Sequence, residues 1–280
     1  MKLITNPALL QKEMKAMRKK GKAIGFVPTM GALHEGHLSL IRKARGENDI
    51  VVASIFVNPL QFGPREDFKK YPRSLARDIA LCKKYVDIIF TPQAKDLYPE
   101  GFLTKVEVEK LSSMYCGASR PGHFRGVATI VNKLFNIALP DTAYFGQKDA
   151  QQAVLIQKMV SDLNMPVTVK VCATVREPDG LALSSRNAYL SQQERKDAVV
   201  LYRSLLLAKT LAKSKQCSSA MIIARMRGLI NKVKSARVDY ISIVDSVTFE
   251  PLWQIKKGAL VLMAVYIGKT RLIDNMRIRD

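Results

Sequence analysis

No apolar run in this chain reaches the roughly 20 residues that cross a bilayer. The opening stretch, Met1-Lys-Leu-Ile-Thr-Asn-Pro7, carries no signal-peptide apolar region, so no membrane partner and a cytoplasmic location are the expectation. Cysteine is scarce and scattered. Cys82, Cys116, Cys172 and Cys217 form no C-x-x-C, and they read as free thiols rather than a disulfide frame or a zinc knuckle. The two common nucleotide fingerprints are missing. No G-x-G-x-x-G follows a strand, and Gly268-Lys-Thr270 has Met263 where a P-loop needs its first glycine. Acidic residues are the minority, 24 against 45 basic ones, for a net charge of +21. Such a charge suggests a polyanion partner. Aromatics make up only 7%, however, and supply no base-stacking platform, while the basic excess forms no tail. A solvated basic surface is the preferred reading, and no nucleic-acid partner is expected.

What is present is a globular composition in 280 residues, enough for one large domain or two. Nearly all-apolar runs end in turn signals: Ala23–Val27 at Pro28, Ile50–Val57 at Asn58-Pro59, Val86–Phe90 at Thr91-Pro92, Thr142–Phe145 at Gly146, then Val167–Val171. Helical patterns lie between and around them: Asn6–Lys20, Leu38 onward, Ser74–Tyr85, Phe124–Leu139 and Ala150–Leu163. Strands alternating with helices argue an α/β fold with a doubly wound, mostly parallel sheet, whose ligands sit at the carboxyl ends of the strands. After Arg176-Glu-Pro-Asp-Gly180 the pattern changes to helices over 192–213 and 218–234, then strands over 237–244, 259–267 and 271–273. This predicts a smaller α+β domain, with residues 1–176 forming the first domain and 177–280 the second.

Two of only three histidines fall in Phe26-Val-Pro-Thr-Met-Gly-Ala-Leu-His-Glu-Gly-His37, at a strand–turn–helix corner. A helix N-terminus offers unpaired N–H groups and a positive dipole end to an anion, and imidazoles there add donors. His34 and His37 are three apart, not four as in a zincin, and phosphate contact is preferred over metal ligation or a purely structural role. Gly146-Gln-Lys-Asp149 occupies another strand-to-helix turn. Lys148 can set a charge on phosphate, and Asp149 can accept from a ribose hydroxyl or simply cap the helix. Asn58-Pro-Leu-Gln61 and Gln152 offer neutral amides for a small hydroxy-acid, or ordinary turn chemistry. Leu183-Ser-Ser-Arg-Asn187 brings hydroxyls and a guanidinium that suits phosphate, or is a capping loop. Arg120-Pro-Gly-His-Phe-Arg125 reads first as a loop leading into a helix.

These segments, in this order and together with Val57-Asn-Pro-Leu-Gln-Phe-Gly63, Tyr71-Pro-Arg73 and Lys269-Thr-Arg-Leu-Ile-Asp-Asn275, closely resemble the pantothenate synthetase (pantoate–β-alanine ligase) family, of the wider H-x-G-H adenylyl-transferring superfamily. The resemblance implies a Rossmann-like N-terminal domain binding ATP and pantoate, a smaller C-terminal lid domain closing on substrate, and a homodimer. It implies a ligase of the pantothenate and coenzyme A pathway that forms pantoyl-adenylate and pyrophosphate, then pantothenate and AMP as the β-alanine amine attacks. A nucleotidyltransferase of the same superfamily is the alternative. By motif position the ATP site comprises Met30, Gly31, Ala32, Leu33, His34, Glu35, Gly36 and His37; Gly146, Gln147, Lys148 and Asp149; and Val175, Leu183, Ser184, Ser185 and Arg186. His34, His37, Lys148 and Arg186 would be catalytic. Gln61, Gln152, Asn58, Tyr71 and Arg120 would serve pantoate or β-alanine. Mg2+ would accompany ATP. Leu183 stands where relatives often have methionine. Arg77 replaces a frequent carboxylate beside Asp78, leaving Asp78 or the nucleotide itself to hold the metal.

Overall fold

The computed structural model describes residues 1–64, 66–214 and 218–279; Cys217 lies outside them. The chain divides into two compact units.

The first unit comprises Met1–Gly146 and Gln151–Cys172. Its strands β1 (Lys2–Ile4), β2 (Ile24–Thr29), β3 (Ile50–Ile55), β4 (Ile88–Phe90), β5 (Thr142–Gly146) and β6 (Thr168–Cys172) form one sheet in the order β1-β4-β3-β2-β5-β6. Every pairing is parallel. Ile24, Phe26, Val27, Val51, Val52 and Ala53 have no exposed surface, as strands covered by helices on both faces require. Successive strands step one way from β2 to β3 and β4, whereas β5 lies on the other side of β2. The carboxyl end of β2 is therefore the topological switch point, where ligands of such sheets bind. The helix Glu35–Glu47 that follows β2 buries Leu38, Leu40, Ile41 and Ala44 against Val27, Val51, Ala53 and Ile89. Edge strand β1 escapes a pattern search because three residues are too few to show alternation; its register beside β4 is set by pairing from Lys2↔Ile88 to Ile4↔Phe90.

The second unit comprises Gln147–Ala150 and the chain from Ala173. Strands β7 (Ala236–Asp245), β8 (Ala259–Ile267) and β9 (Thr270–Arg277) form an antiparallel sheet in sequence order. Helices Val200–Leu211 and Ser219–Ile230 cover it, packing Leu201, Leu205, Ile222, Met226 and Ile230 with Ile241, Ile243, Val261, Met263 and Val265. The helical pattern over 192–213 resolves into two helices, Gln192–Asp197 and Val200–Leu211. β9 runs to Arg277, well beyond the short segment expected at 271–273, because Asp274 and Asn275, polar yet 3% and 4% exposed, hide its apolar pattern. Those two residues also explain why Gln147–Ala150 belongs with this unit, as described below.

Candidate active site

β2 ends at Thr29, and the chain turns through Met30–Leu33 into the helix that starts at Glu35. Gly31 has φ +81° and Ala32 φ 52°, the left-handed region that an alanine occupies only when something fixes it. That something is Asp78. Its Oδ2 accepts the Ala32 N–H at 2.9 Å and its Oδ1 the Leu33 N–H at 2.8 Å, and the residue is 1% exposed. A Cβ on Gly31 would sit 2.9 Å from Asp78 Oδ2 and 3.0 Å from Ile55 Cγ2, so only glycine passes there. Thr29 Oγ1 completes the clamp, accepting the Gly31 N–H at 3.2 Å while donating to the Ser54 carbonyl at 2.7 Å.

The helix start departs from the expectation of open backbone donors. Gly36 N–H donates to His34 Nδ1 at 3.2 Å, and His37 and Leu38 N–H donate to the His34 carbonyl at 2.8 and 3.1 Å. His34 N–H in turn donates to His37 Nδ1 at 3.3 Å, and the two rings lie 4.1 Å apart. The consequence is electronic. Each Nδ1 is an acceptor, so each neutral imidazole carries its proton on Nε2, a fixed donor. Two ring donors therefore stand at the positive end of a 13-residue helix.

Asn58 and Gln61 form a second cluster. Asn58, 1% exposed, gives Nδ2 to Gln61 Oε1 at 3.0 Å and to the Gly126 carbonyl at 3.1 Å. Its Oδ1 accepts from Tyr98 Oη at 2.7 Å and from Leu60 N–H at 3.3 Å. Burial pushes the Tyr98 phenol far above its ordinary pKa, which keeps it a donor. Both donors and the acceptor of Asn58 are engaged within the protein, and one of the donors holds Gln61. Gln61 Nε2 approaches Met30 Sδ at 3.1 Å, bringing the amide beside the residue that follows β2. The helix His123–Ala138 approaches this turn so closely that a Cβ on Gly126 would meet the Leu60 carbonyl oxygen at 2.2 Å.

Arg120 forks Glu66, with Nε donating to Oε1 at 2.9 Å, and its side chain is 16% exposed. His123 Nδ1 lies 2.8 Å from the Gln61 carbonyl, which can only accept, so this nitrogen carries the proton and Nε2 accepts from Arg120 at 2.9 Å. Arg120 thus belongs to the support of Gln61. Tyr71, 5% exposed, packs edge-on against Phe62 with centroids 6.0 Å apart. Gln152 lies on the helix Ala150–Asp162, and its amide makes no side-chain hydrogen bond among the described residues. Its neighbour Gln151 is instead engaged with backbone groups of Cys116, Leu111 and Met114.

In the second unit, Gln147–Asp149 is a single 3-10 turn in which Lys148 Nζ stands 3.5 Å from Asp149 Oδ1. Val175 accepts the Leu183 N–H at 3.0 Å, closing a tight hairpin through Arg176↔Ala182. Ser184 caps the following 3-10 turn, Ser185–Tyr189, by accepting the Arg186 N–H at 3.3 Å. Both the Lys148 turn and the Arg186 turn pack against β9. The structure thus brings these two predicted cations to one strand.

Magnesium fits Asp78 poorly. Both carboxylate oxygens already receive backbone N–H groups and the residue is buried, while no group of three or more His, Cys, Asp or Glu side chains among the described residues could hold a metal. Cys82, on the same helix, is inert: burial, helped by the Asp78 charge, pushes its thiol up to about 11.

A parallel sheet with a His-Glu-Gly-His corner at its switch point, and basic turns held on a small antiparallel domain, defines a nucleotide-handling enzyme of the H-x-G-H class. The pantoate–β-alanine ligase family model matches residues 2–277. A pantothenate synthetase from Sulfurihydrogenibium sp. is 54% identical over 278 residues, covering 99% of each chain, and one from Thermotoga neapolitana is 52% identical, covering 98% of this chain and 99% of its own. The crystal structure of pantothenate synthetase from Thermus thermophilus superposes with a TM-score of 0.94 at 47% identity over the whole of both chains. A pantoate–β-alanine ligase from Francisella tularensis, complexed with β,γ-ATP and β-alanine, gives 0.82 at 38% identity, covering 99% of this chain and 98% of its own. The chain belongs to the pantoate–β-alanine ligase family. That membership selects a ligase over the nucleotidyltransferase alternative.

Proposed function

We propose that this enzyme condenses pantoate with β-alanine using ATP, through a pantoyl-adenylate, and that the corner after β2 does the phosphate chemistry. A pantoate carboxylate oxygen attacks the α-phosphorus, forming the acyl–phosphate bond as the bond to pyrophosphate breaks. The β-alanine amine then attacks the acyl carbon, AMP leaves, and the amine proton goes to solvent. The observation that carries the reading is the paired Nδ1 capping of His34 and His37, which fixes two Nε2–H donors at the switch point. In an in-line displacement between two anions, catalysis is chiefly positioning and charge neutralisation. His34 and His37 donate to phosphate oxygens, and Lys148 and Arg186 neutralise charge growing toward pyrophosphate. By motif position, the nucleotide-binding residues are Met30–Leu33, Glu35, Gly36 and Gly146 of the first unit and Gln147–Asp149, Val175, Leu183, Ser184 and Ser185 of the second. Gln61 and Gln152 orient pantoate. Asn58 and Arg120 hold Gln61 in place, and buried Tyr71 closes that wall. Magnesium travels with the nucleotide's own phosphates; a homodimer and a cytoplasmic location complete the proposal. The test is AMP release from ATP and pantoate, with and without β-alanine. AMP release that depends on β-alanine, with pyrophosphate formed in equal amount, is expected. Rapid AMP release without the amine, or none with it, would overturn the assignment.

A further inference from the structure

Asn275 stands on β9 with every polar atom of its side chain committed to one turn. Nδ2 donates to the carbonyls of Gln147 at 2.8 Å and Lys148 at 3.0 Å, and Oδ1 accepts from Gln147 Nε2 at 3.0 Å. A carboxamide suits this task because one planar head supplies two donors and an acceptor. The anchor is itself anchored. Asn275 N–H donates to Asp274 Oδ1 at 2.8 Å, and its carbonyl accepts from Arg176 at 3.3 Å. Arg176 forks the buried Asp274 at 2.7 and 2.9 Å, donates to the Gly180 carbonyl at 3.0 Å, and lies 4.7 Å over the Tyr202 ring. The hairpin that leads to Ser184–Arg186 starts at this same arginine. One turn of 3-10 helix has little stability of its own. Between β5 and the helix that starts at Ala150, the grip of Asn275 on the Gln147 and Lys148 carbonyls gives the Lys148 backbone a further fixed point.

We propose that Asn275 is a positioning residue for Lys148, and that the Arg176–Asp274–Asn275 chain keeps the Lys148 turn and the Arg186 loop in register during adenylate formation. This rests on the reading of Lys148 as a phosphate-binding cation. A residue that served only folding would affect every step alike; a positioning residue acts through Lys148 alone.

The experiment is a double-mutant cycle in the full chain, N275A, K148A and both together, read by pantoate-dependent exchange of pyrophosphate into ATP and by the thermal midpoint. We expect N275A to stay folded, to lower the exchange kcat about 10- to 100-fold with the pantoate KM unchanged, and to cost less than about 3-fold once Lys148 is already alanine. Equal losses in both backgrounds, or no loss from N275A, overturn the positioning role while leaving the Lys148 reading intact. A K148A enzyme with parental exchange overturns that reading, and this one with it. If N275A does not fold, N275S, which keeps one hydroxyl donor, takes its place with the same expectation. Failure of both to fold marks Asn275 as a stability residue and refutes the proposal.

Discussion

Replacing Asp78 tests how the phosphate corner is held. Its two oxygens are the acceptors for Ala32 and Leu33 N–H, and the clamped segment includes a left-handed alanine that gains nothing intrinsically from its conformation. A hydrogen bond to a charged acceptor contributes about 1.5–3 kcal/mol, and a buried donor left alone costs about 1–3 kcal/mol. D78N keeps one acceptor oxygen but turns an amide N–H2 toward a backbone N–H. It should lower the unfolding free energy by about 2–3 kcal/mol, and D78A, which removes both acceptors, by roughly 3–6 kcal/mol. The rate effect is separate. Releasing Ala32 and Leu33 lets His34 and His37 drift, and a displacement of about 1 Å costs on the order of 100-fold in a positioned reaction. The assay is pyrophosphate exchange alongside urea unfolding, both measured across a magnesium titration. The clamp predicts losses in rate and stability that no magnesium concentration restores. A metal ligand predicts a parental unfolding midpoint and recovery of exchange at high magnesium; that pair of results would sink the argument.

H37A should slow adenylate formation by about 2.7–4 kcal/mol of barrier, by analogy with deletion of an oxyanion donor, and single-turnover rates near parental would remove His37 from the chemistry. Y98F deletes the phenol that donates to Asn58 Oδ1 and should cost about 0.5–1.5 kcal/mol of stability and raise the pantoate KM, with the ATP KM unmoved as the internal control. G126A forces the helix from His123 away from Leu60, for roughly 1–3 kcal/mol of destabilisation seen in a thermal scan; a neutral result would mean the two segments separate freely. Glu47 is held down to about 2 by hydrogen bonds from Lys170, then Lys43 and Tyr144. A carboxyl depressed on folding adds stability that is complete above its ordinary value of 4.5 and fades as pH falls toward about 2. E47Q should therefore flatten the acid limb of the stability curve in that window, and an NMR titration of Glu47 with a midpoint near 4.5 would contradict it.

What the sequence made legible were residue types whose chemistry suits a ligand, and what it hid were groups that meet backbone. His34, His37, Lys148 and Arg186 stand out because few residue types bind phosphate and each follows a strand end or opens a turn. The central strands β2 to β5 were equally readable, since they are largely apolar and end in, or are followed within a few residues by, proline or glycine. Tyr98 and Glu66 carry no such mark; Asp78 stood out only as a possible metal ligand, and Asn275 only as the end of a family motif. An aspartate in a helix's first turn looks like any dipole partner, and an asparagine near the C-terminus looks like a turn. Their roles depend on contacts 45 residues apart, between Asp78 and Leu33, or 127 apart, between Asn275 and Lys148, and no local pattern reports those. Even the histidines were only half legible. Their place in the chain pointed to an anion, but the assignment of the ring protons came from which N–H each Nδ1 accepts. The same capping engages the Gly36 N–H, one of the backbone donors that a helix N-terminus would otherwise offer an anion. The helix start dictates the tautomer of both rings: the Gly36 N–H sets His34, and the His34 N–H sets His37.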